Sequence, residues 1–461
     1  MTPTGVHTSG SRLLFAGLLI LGVAARVALA PLDGAPRVSV WKIWSVNAVT
    51  QGAAALYGDE ALDGGRPLLN YEGRQSAISS PPGALYSLQL AGELYRRYDP
   101  TFTDGPLFTA AVKLPGIVAE FLLIGLIYIA VRRLMDPPAA RWALLAYWLN
   151  PAVIWGGTAL GFLTPIVALA AVGALVCTTW GYPTLAGSLI AAAILTDLQA
   201  LLLLPVLMLA LNRRVPLRTE AYMWATGGAV VTMMLVLTPL ASRGTLPSAA
   251  RLLATELGLE SVREQATGLW EALPELSGME TTARAASAPV EREPAAMDWL
   301  TTVARAVMAD HRLWIVPLLA LIGLWALWRA RAIRFLPGWA GLAALFAHAA
   351  SLIEPSLSIP SLLLAIAFLA IASAESGRYR ALLVALTVVL GANMVLASNG
   401  LPIADDLFGP GFRIGIVLRA ITGLALVWHA AIFRSECSRE APRPRRLTRD
   451  VRYALAARAK P

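Results

Sequence analysis

Apolar runs of about twenty residues recur along the whole chain, and each is long enough to cross a bilayer as a helix. Lipid offers no water to backbone N–H and C=O groups, so spanning segments must be helices or closed barrels. Barrel strands read as alternating segments of about ten residues, and no such pattern occurs. The expected fold is therefore an all-α integral membrane protein. Composition agrees: 57% of the 461 residues are hydrophobic, 15% are charged, and the mean hydropathy is +0.62. A soluble domain carries roughly 25% charged residues.

Spans are expected near 13–30, 108–131, 142–157, 163–180, 183–196, 199–211, 221–241, 313–329, 336–352, 359–375, 380–398 and 412–433, about twelve transmembrane helices in all. Several are short enough to be half-helices or strongly tilted. Basic clusters test this count. With the N-terminus cytoplasmic, Arg132, Arg133 and Arg141, then Arg213, Arg214 and Arg218, then Arg329, Arg331 and Arg334, then Arg378 and Arg380 all fall on one side. That is the positive-inside pattern, so both termini are expected in the cytoplasm of a multi-pass plasma (inner) membrane protein. The net charge of +9 then calls for no nucleic acid partner. Leu13 to Ala30 ends in Ala28-Leu29-Ala30, like a signal-peptidase site, but Arg26 interrupts the apolar region that a cleaved signal keeps continuous.

One polytopic domain is expected over 1–433, followed by a basic cytoplasmic tail over 434–461. Two extracytoplasmic loops are large, 31–107 and 242–312. The first is too long for a turn and carries its own amphipathic helical patterning, the mark of a functional loop. In the second, Leu252, Leu253, Leu257 and Leu259 suggest a helix at the membrane surface. Cys177 lies in a span and Cys437 in the tail, so no disulfide framework is expected.

Ionisable groups inside spans are costly and so are functional candidates. Lys113 and Glu120 are seven residues apart, about two turns, and share a helix face. They read either as substrate-binding groups or as a polar seam between helices. The four histidines, His7, His311, His348 and His429, have no ligand spacing, so no histidine-based metal site is expected. Carboxylates at Asp33, Asp59, Glu60, Asp63 and Glu72 leave room for a divalent cation. No phosphate-binding glycine loop or nucleophile elbow is present.

Several segments, in order, resemble the C-type (GT-C) membrane glycosyltransferases, in particular their bacterial mannosyltransferase-like branch. Gly34-Ala35-Pro36 is followed by Trp41, Trp44, Gly52 and Tyr57. Ser80-Pro81-Pro82-Gly83-Ala84-Leu85-Tyr86 resembles the family's Tyr-Pro-Pro-Gly segment, and Lys113-Leu114-Pro115 through Glu120 its second span. Leu149-Asn150-Pro151-Ala152-Val153 and Leu195-Thr196-Asp197-Leu198-Gln199-Ala200 to Pro205 are similar to two further elements. The departures fall on polar positions. Arg37 stands where the family has its first-loop Asp, Ser79-Ser80 replaces an acidic-Tyr pair, and Gly161-Phe162-Leu163-Thr164 replaces Gly-Gln-x-Asp. Asp197 replaces a Lys, and Ile353-Glu354-Pro355-Ser356 is the remnant of a His-Glu-Arg-Tyr element.

The resemblance implies transfer of a hexose, mannose being the candidate, from a polyprenyl-phosphate donor to an extracytoplasmic glycan or lipid acceptor, with membrane lipids as surroundings. Such a transfer needs a base for the acceptor hydroxyl and cations for the leaving phosphate. With Arg37 at the usual base position, the base candidates are Asp33 first, then Glu72 and Asp197. Arg37, Lys42, Arg74 and Lys113 are candidates to hold phosphate, Arg being suited to paired hydrogen bonds. Trp41 and Trp44 share a helix face, for stacking on sugar or prenyl chain or for anchoring at the interface. Glu120 and Glu354 complete the candidate set. Two other readings stay open: an inactive homologue that binds lipid-linked sugar or scaffolds a partner, and a lipid-linked glycan transporter. Paired broken segments that would mark inverted repeats are lacking.

Overall fold

Residues 8–33, 36–58, 68–214, 218–256, 312–333, 335–352, 358–397 and 414–439 are described by the structure, a computed structural model. Helix α1 (Thr8–Leu29) enters the bundle and leads to a loop-end layer. This layer holds α2 (Pro36–Asn47), a hairpin of β1 (Leu68–Tyr71) and β2 (Arg74–Ala77), and α3 (Pro82–Arg96). Helix α4 (Pro106–Arg132) then returns through the bundle; its 27 residues span about 40 Å at 1.5 Å per residue. Next come α5 (Pro137–Trp148), α6 (Pro151–Val153), α7 (Thr164–Trp180), α8 (Pro183–Thr196), α9 (Leu204–Arg214), α10 (Arg218–Ser242) and α11 (Leu246–Glu256). The C-terminal half adds α12 (Arg312–Arg329), α13 (Leu336–Ala350), α14 (Ser358–Ala372), α15 (Gly377–Ala397) and α16 (Ile414–Arg439).

Proline sets many of these starts. Pro82, Pro106, Pro137, Pro151 and Pro183 each occupy a first helical position, where the missing N–H costs nothing and φ is already helical. The expected span 142–157 is broken rather than continuous. Asn150 precedes Pro151, which disfavours the helical region for it, and it sits at φ −64°, ψ 117°. Its side chain caps the new start, accepting from the N–H of Ala152 at 3.0 Å and of Val153 at 3.3 Å. A wide helical turn over Ile154–Ala159 follows. Asp197 makes a second break, ending α8 in extended backbone and accepting from Gln199 N at 3.0 Å to start a 3-10 turn over Leu198–Leu203.

Three of the described helices are long and apolar enough to cross a membrane, over Arg12–Leu29, Pro106–Arg132 and Thr219–Ser242; shorter apolar helices pack among them. The chain is a multi-pass membrane protein. The last helix runs beyond the expected span end, to Arg439, with Ser376 Oγ donating to Glu436 at 3.0 Å and Cys437 buried.

The hairpin is not in the sequence expectation. Leu68 pairs with Ala77 and Tyr71 with Arg74, and the two-residue turn puts Glu72 at φ 50° and Gly73 at φ 75°. That conformation is normally supplied by Asn-Gly or Asp-Gly, and Glu at the first position conceals it.

Two separate apolar cores result. The bundle core gathers residues such as Trp148, Trp339, Leu364 and Phe368. The loop-end core is aromatic: Trp41 and Trp44 meet edge-on at 5.0 Å, and Tyr95 stacks on Phe108 at 4.7 Å. Pairs of this kind add about 0.5–1.5 kcal/mol beyond area burial. The layer is tied to α10 and α11 by Tyr86 Oη to Val236 O at 3.0 Å, Arg243 Nη1 to Gln51 O at 3.0 Å and Thr245 Oγ1 to Ala54 O at 2.8 Å. Of the surface helix expected near Leu252, α11 supplies the described part, with Ala249 and Leu252 turned into the loop-end core. Leu257 and Leu259 lie outside the described residues.

Candidate functional site

Helix α1 ends at Leu29, and the chain turns so that Leu32 N reaches Leu29 O at 3.2 Å. Asp33 follows on the rim, with its side chain 88% exposed. Its Oδ1 accepts from Thr109 Oγ1 at 3.1 Å, in the first turns of α4, and lies 3.4 Å from Lys42 Nζ. Partial burial acts to raise the Asp33 carboxyl, but Lys42, the Thr109 hydroxyl and Lys113 outweigh it, and the group is held below its ordinary 3.8. It is therefore ionised and open to solvent at neutral pH.

Lys42 is turned inward, 3% exposed, with Nζ 2.5 Å from Asp104 Oδ1. The second oxygen of Asp104 is 3.5 Å from Arg74 Nη1, which also reaches Ser39 Oγ at 3.3 Å. Asp104 was not singled out from sequence. It stands just before the Gly105-Pro106 start of α4, and an acidic residue at that place is a recognisable helix-start signal. Lys113 is buried, donating to Leu32 O at 2.6 Å and Ala159 O at 2.9 Å. It joins the exit of α1 to the end of the Ile154–Ala159 turn.

Arg37 occupies a second part of the rim. Its guanidinium lies 4.8 Å from the Phe162 ring centroid and 5.9 Å from that of Trp41. Burial draws its pKa down, against the pull of Asp197. Asp197 in turn is raised by burial, against the Gln199 N–H and Arg37. Arg37 and Asp197, 160 positions apart, are thus electrostatic partners at one end of the bundle. Gly161 makes the junction possible. Its φ is +70°, a Cβ there would stand 3.0 Å from Val38 Cγ2, and its carbonyl accepts from Trp41 Nε1 at 2.8 Å. Gly83 does the same at the start of α3: a Cβ there would lie 2.7 Å from Leu195 O and 2.8 Å from Thr196 Oγ1. The Pro-Pro-Gly and Leu-Thr-Asp segments therefore meet.

The remaining candidates fall elsewhere. Glu72 is exposed at the hairpin tip. Trp41 and Trp44 are 6% and 1% exposed, core residues of the layer rather than anchors at its surface. Glu354 lies outside the described residues, as do Asp59, Glu60 and Asp63. Among the described residues no three His, Cys, Asp or Glu side chains cluster as metal ligands. Glu120 sits below the rim and faces Arg26 of α1, with Oε2 2.5 Å from Nε and both side chains buried. Arg26 Nη1 also donates to Gly22 O and Trp148 O, each at 3.0 Å, and its guanidinium lies 3.6 Å from the Trp148 ring centroid. Lys113 and Glu120 do share a face, as their spacing implies, but each bonds to a different part of the framework. That Arg26 answers Glu120 has only one sequence signal, two opposite charges in neighbouring spans.

No protein-family model matches the chain, and the comparison with curated proteins finds no match. Among solved structures it is similar to ArnT from Cupriavidus metallidurans bound to undecaprenyl phosphate, at 16% identity and a TM-score of 0.42, over 94% of this chain and 78% of that one. The apo state of the same protein matches at 14% and 0.41 over the same shares. The archaeal oligosaccharyltransferase AglB from Archaeoglobus fulgidus, in complex with an inhibitory peptide and a dolichol-phosphate, matches at 14% and 0.31, over 97% of this chain and 60% of that one. At these identities and TM-scores the likeness carries no argument about activity.

Proposed function

We propose that the chain is a GT-C-type membrane glycosyltransferase that moves a hexose, mannose being the candidate, from a polyprenyl-phosphate donor to a glycan or lipid acceptor at the loop end. The observation that carries this reading is Asp33. It is an exposed carboxylate, held ionised, at the mouth of a site whose other charged groups are fixed around it. In this role its free oxygen takes the proton of the acceptor hydroxyl, which then attacks the sugar carbon as the polyprenyl phosphate leaves. Arg37, spread over the Phe162 ring, is the cation placed to meet the phosphate. Lys42 and Lys113 are framework groups that hold Asp33 charged. The loop end is extracytoplasmic in this account.

A second reading rests on a specific observation as well. Lys42 and Arg74 are both matched by Asp104, and Arg37 is partnered electrostatically by Asp197. With its cations already drawn to carboxylates, such a site would bind a lipid-linked sugar without turning it over. The test is release of polyprenyl phosphate by the full chain in lipid from a panel of polyprenyl-phosphate sugars, with binding read on the same samples. Release that Asp33→Asn abolishes supports the transferase. Binding without release supports the inactive reading, and neither binding nor release removes both.

A further inference from the structure

A cavity of about 520 Å³ opens at the far end of the bundle from Asp33, where α4 turns into α5 and α14 into α15. Its walls are Leu134, Met135, Pro138, Ala139 and Trp142 from the α4–α5 corner and Arg380 from the start of α15. Both polar walls are pinned to one residue. Trp142 Nε1 donates to Ser373 Oγ at 3.1 Å, and Arg380 Nε donates to Ser373 O at 2.9 Å. The guanidinium is held 5.0 Å from the Trp142 ring centroid, while Arg380 is exposed and Trp142 is 41% exposed. Arg380 therefore lines the cavity with its guanidinium held in place through Nε. Arg132 Nη1 donates to the carbonyl of Met135, a lining residue, at 3.5 Å. The acid in the wall, Asp136, is engaged with the N–H of Ala139 at 3.0 Å.

We propose that this cavity binds the phosphate of an anionic phospholipid. The apolar wall suits the glycerol and upper acyl chain, and a planar arginine suits phosphate. The position, at the ends of spanning helices beside an interfacial tryptophan, is where headgroups lie. Basic pockets between transmembrane helices take anionic headgroups for the same reason. The site lies a helix length from the proposed transfer chemistry and does not depend on it.

The test uses the full chain in a neutral detergent, titrated with phosphatidylglycerol, with phosphatidylcholine or with inorganic phosphate, and read by native mass spectrometry. One phosphatidylglycerol should stay bound under conditions that strip phosphatidylcholine. Arg380→Gln should weaken it about fivefold, the effect of one basic side chain at an anionic headgroup. Ala139→Glu guards against a folding artefact. Ala139 is the third helical residue after the Asp136 cap, where Glu favours the helix start, yet the new charge faces the cavity and should also weaken binding. Arg96→Gln, at a surface pair with Glu93 at the loop end, should change nothing. Equal binding of both lipids, or unchanged binding in Arg380→Gln and Ala139→Glu, would overturn the proposal. Displacement of the lipid by millimolar inorganic phosphate would assign the cavity to a free anion and overturn it too.

Discussion

Arg26–Glu120 and Lys42–Asp104–Asp33 are built from the same kinds of charge, yet the molecule uses them differently. The first pair is sealed: Arg26 is 1% and Glu120 0% exposed, and Glu120 Oε1 and Arg26 Nη2 have no hydrogen-bond partner. The second runs from a buried ammonium out to a carboxylate that is 88% exposed. A buried pair must be complete, because removing one partner strands a charge, whereas a graded cluster can leave its outermost carboxylate free for chemistry. Burial, more than residue type, separates the structural ion pair from the candidate site.

The largest effect should come from breaking the sealed pair. Glu120→Ala leaves Arg26 buried and unanswered, and should cost about 3–5 kcal/mol in unfolding free energy. Replacing both partners by apolar residues of similar volume should recover most of that. Thermal unfolding in detergent checks both, and a double variant as unstable as the single one would break the comparison. Gly157→Ala comes next. A Cβ there would stand 2.0 Å from Glu120 Oε1, and the forced shift should cost about 1–3 kcal/mol.

Changes in the graded cluster should be milder. Asp104→Asn weakens the hold on Lys42 and should cost about 1–3 kcal/mol, because Asp33 remains 3.4 Å from Lys42. The smallest effect is expected at Asp197. Its folded pKa lies above the ordinary value, so its charge opposes folding at neutral pH and the penalty fades as pH falls through that raised value. Asp197→Asn, which can still cap the turn, should therefore lower the melting temperature at neutral pH no more than at acid pH. A loss confined to neutral pH would contradict this.

Much of this was legible because hydropathy reports on individual helices. The apolar runs marked candidate spans, and three of the described helices are long and apolar enough to cross a membrane; the shortness of several runs allowed half-helices, but not the place where Asn150-Pro151 breaks one of them. Charge placement set Arg37 and Asp197 at the same end, where they prove to be electrostatic partners. What stayed hidden depended on partners remote in sequence or on unusual backbone. Arg26 and Glu120 are 94 residues apart, and nothing local to either names the other. The hairpin was masked by Glu72 in a left-handed conformation more often taken by Asn or Asp. Asp104 acquires its meaning only when α2 brings Lys42 against it.

In the proposed transferase, the exposed end of the graded cluster, Asp33, does the chemistry. The most direct test is release of polyprenyl phosphate from polyprenyl-phosphate mannose and related sugars by wild type and Asp33→Asn, in lipid, at neutral pH and down to about pH 4. A general base contributes about 10²–10⁴-fold, so release should fall by that factor in Asp33→Asn with thermal stability little changed. Asp33 is held below its ordinary value, so loss of wild-type release from protonation of the base should set in at lower pH than it would for an ordinary aspartate. Release by Asp33→Asn at the wild-type rate would contradict the account.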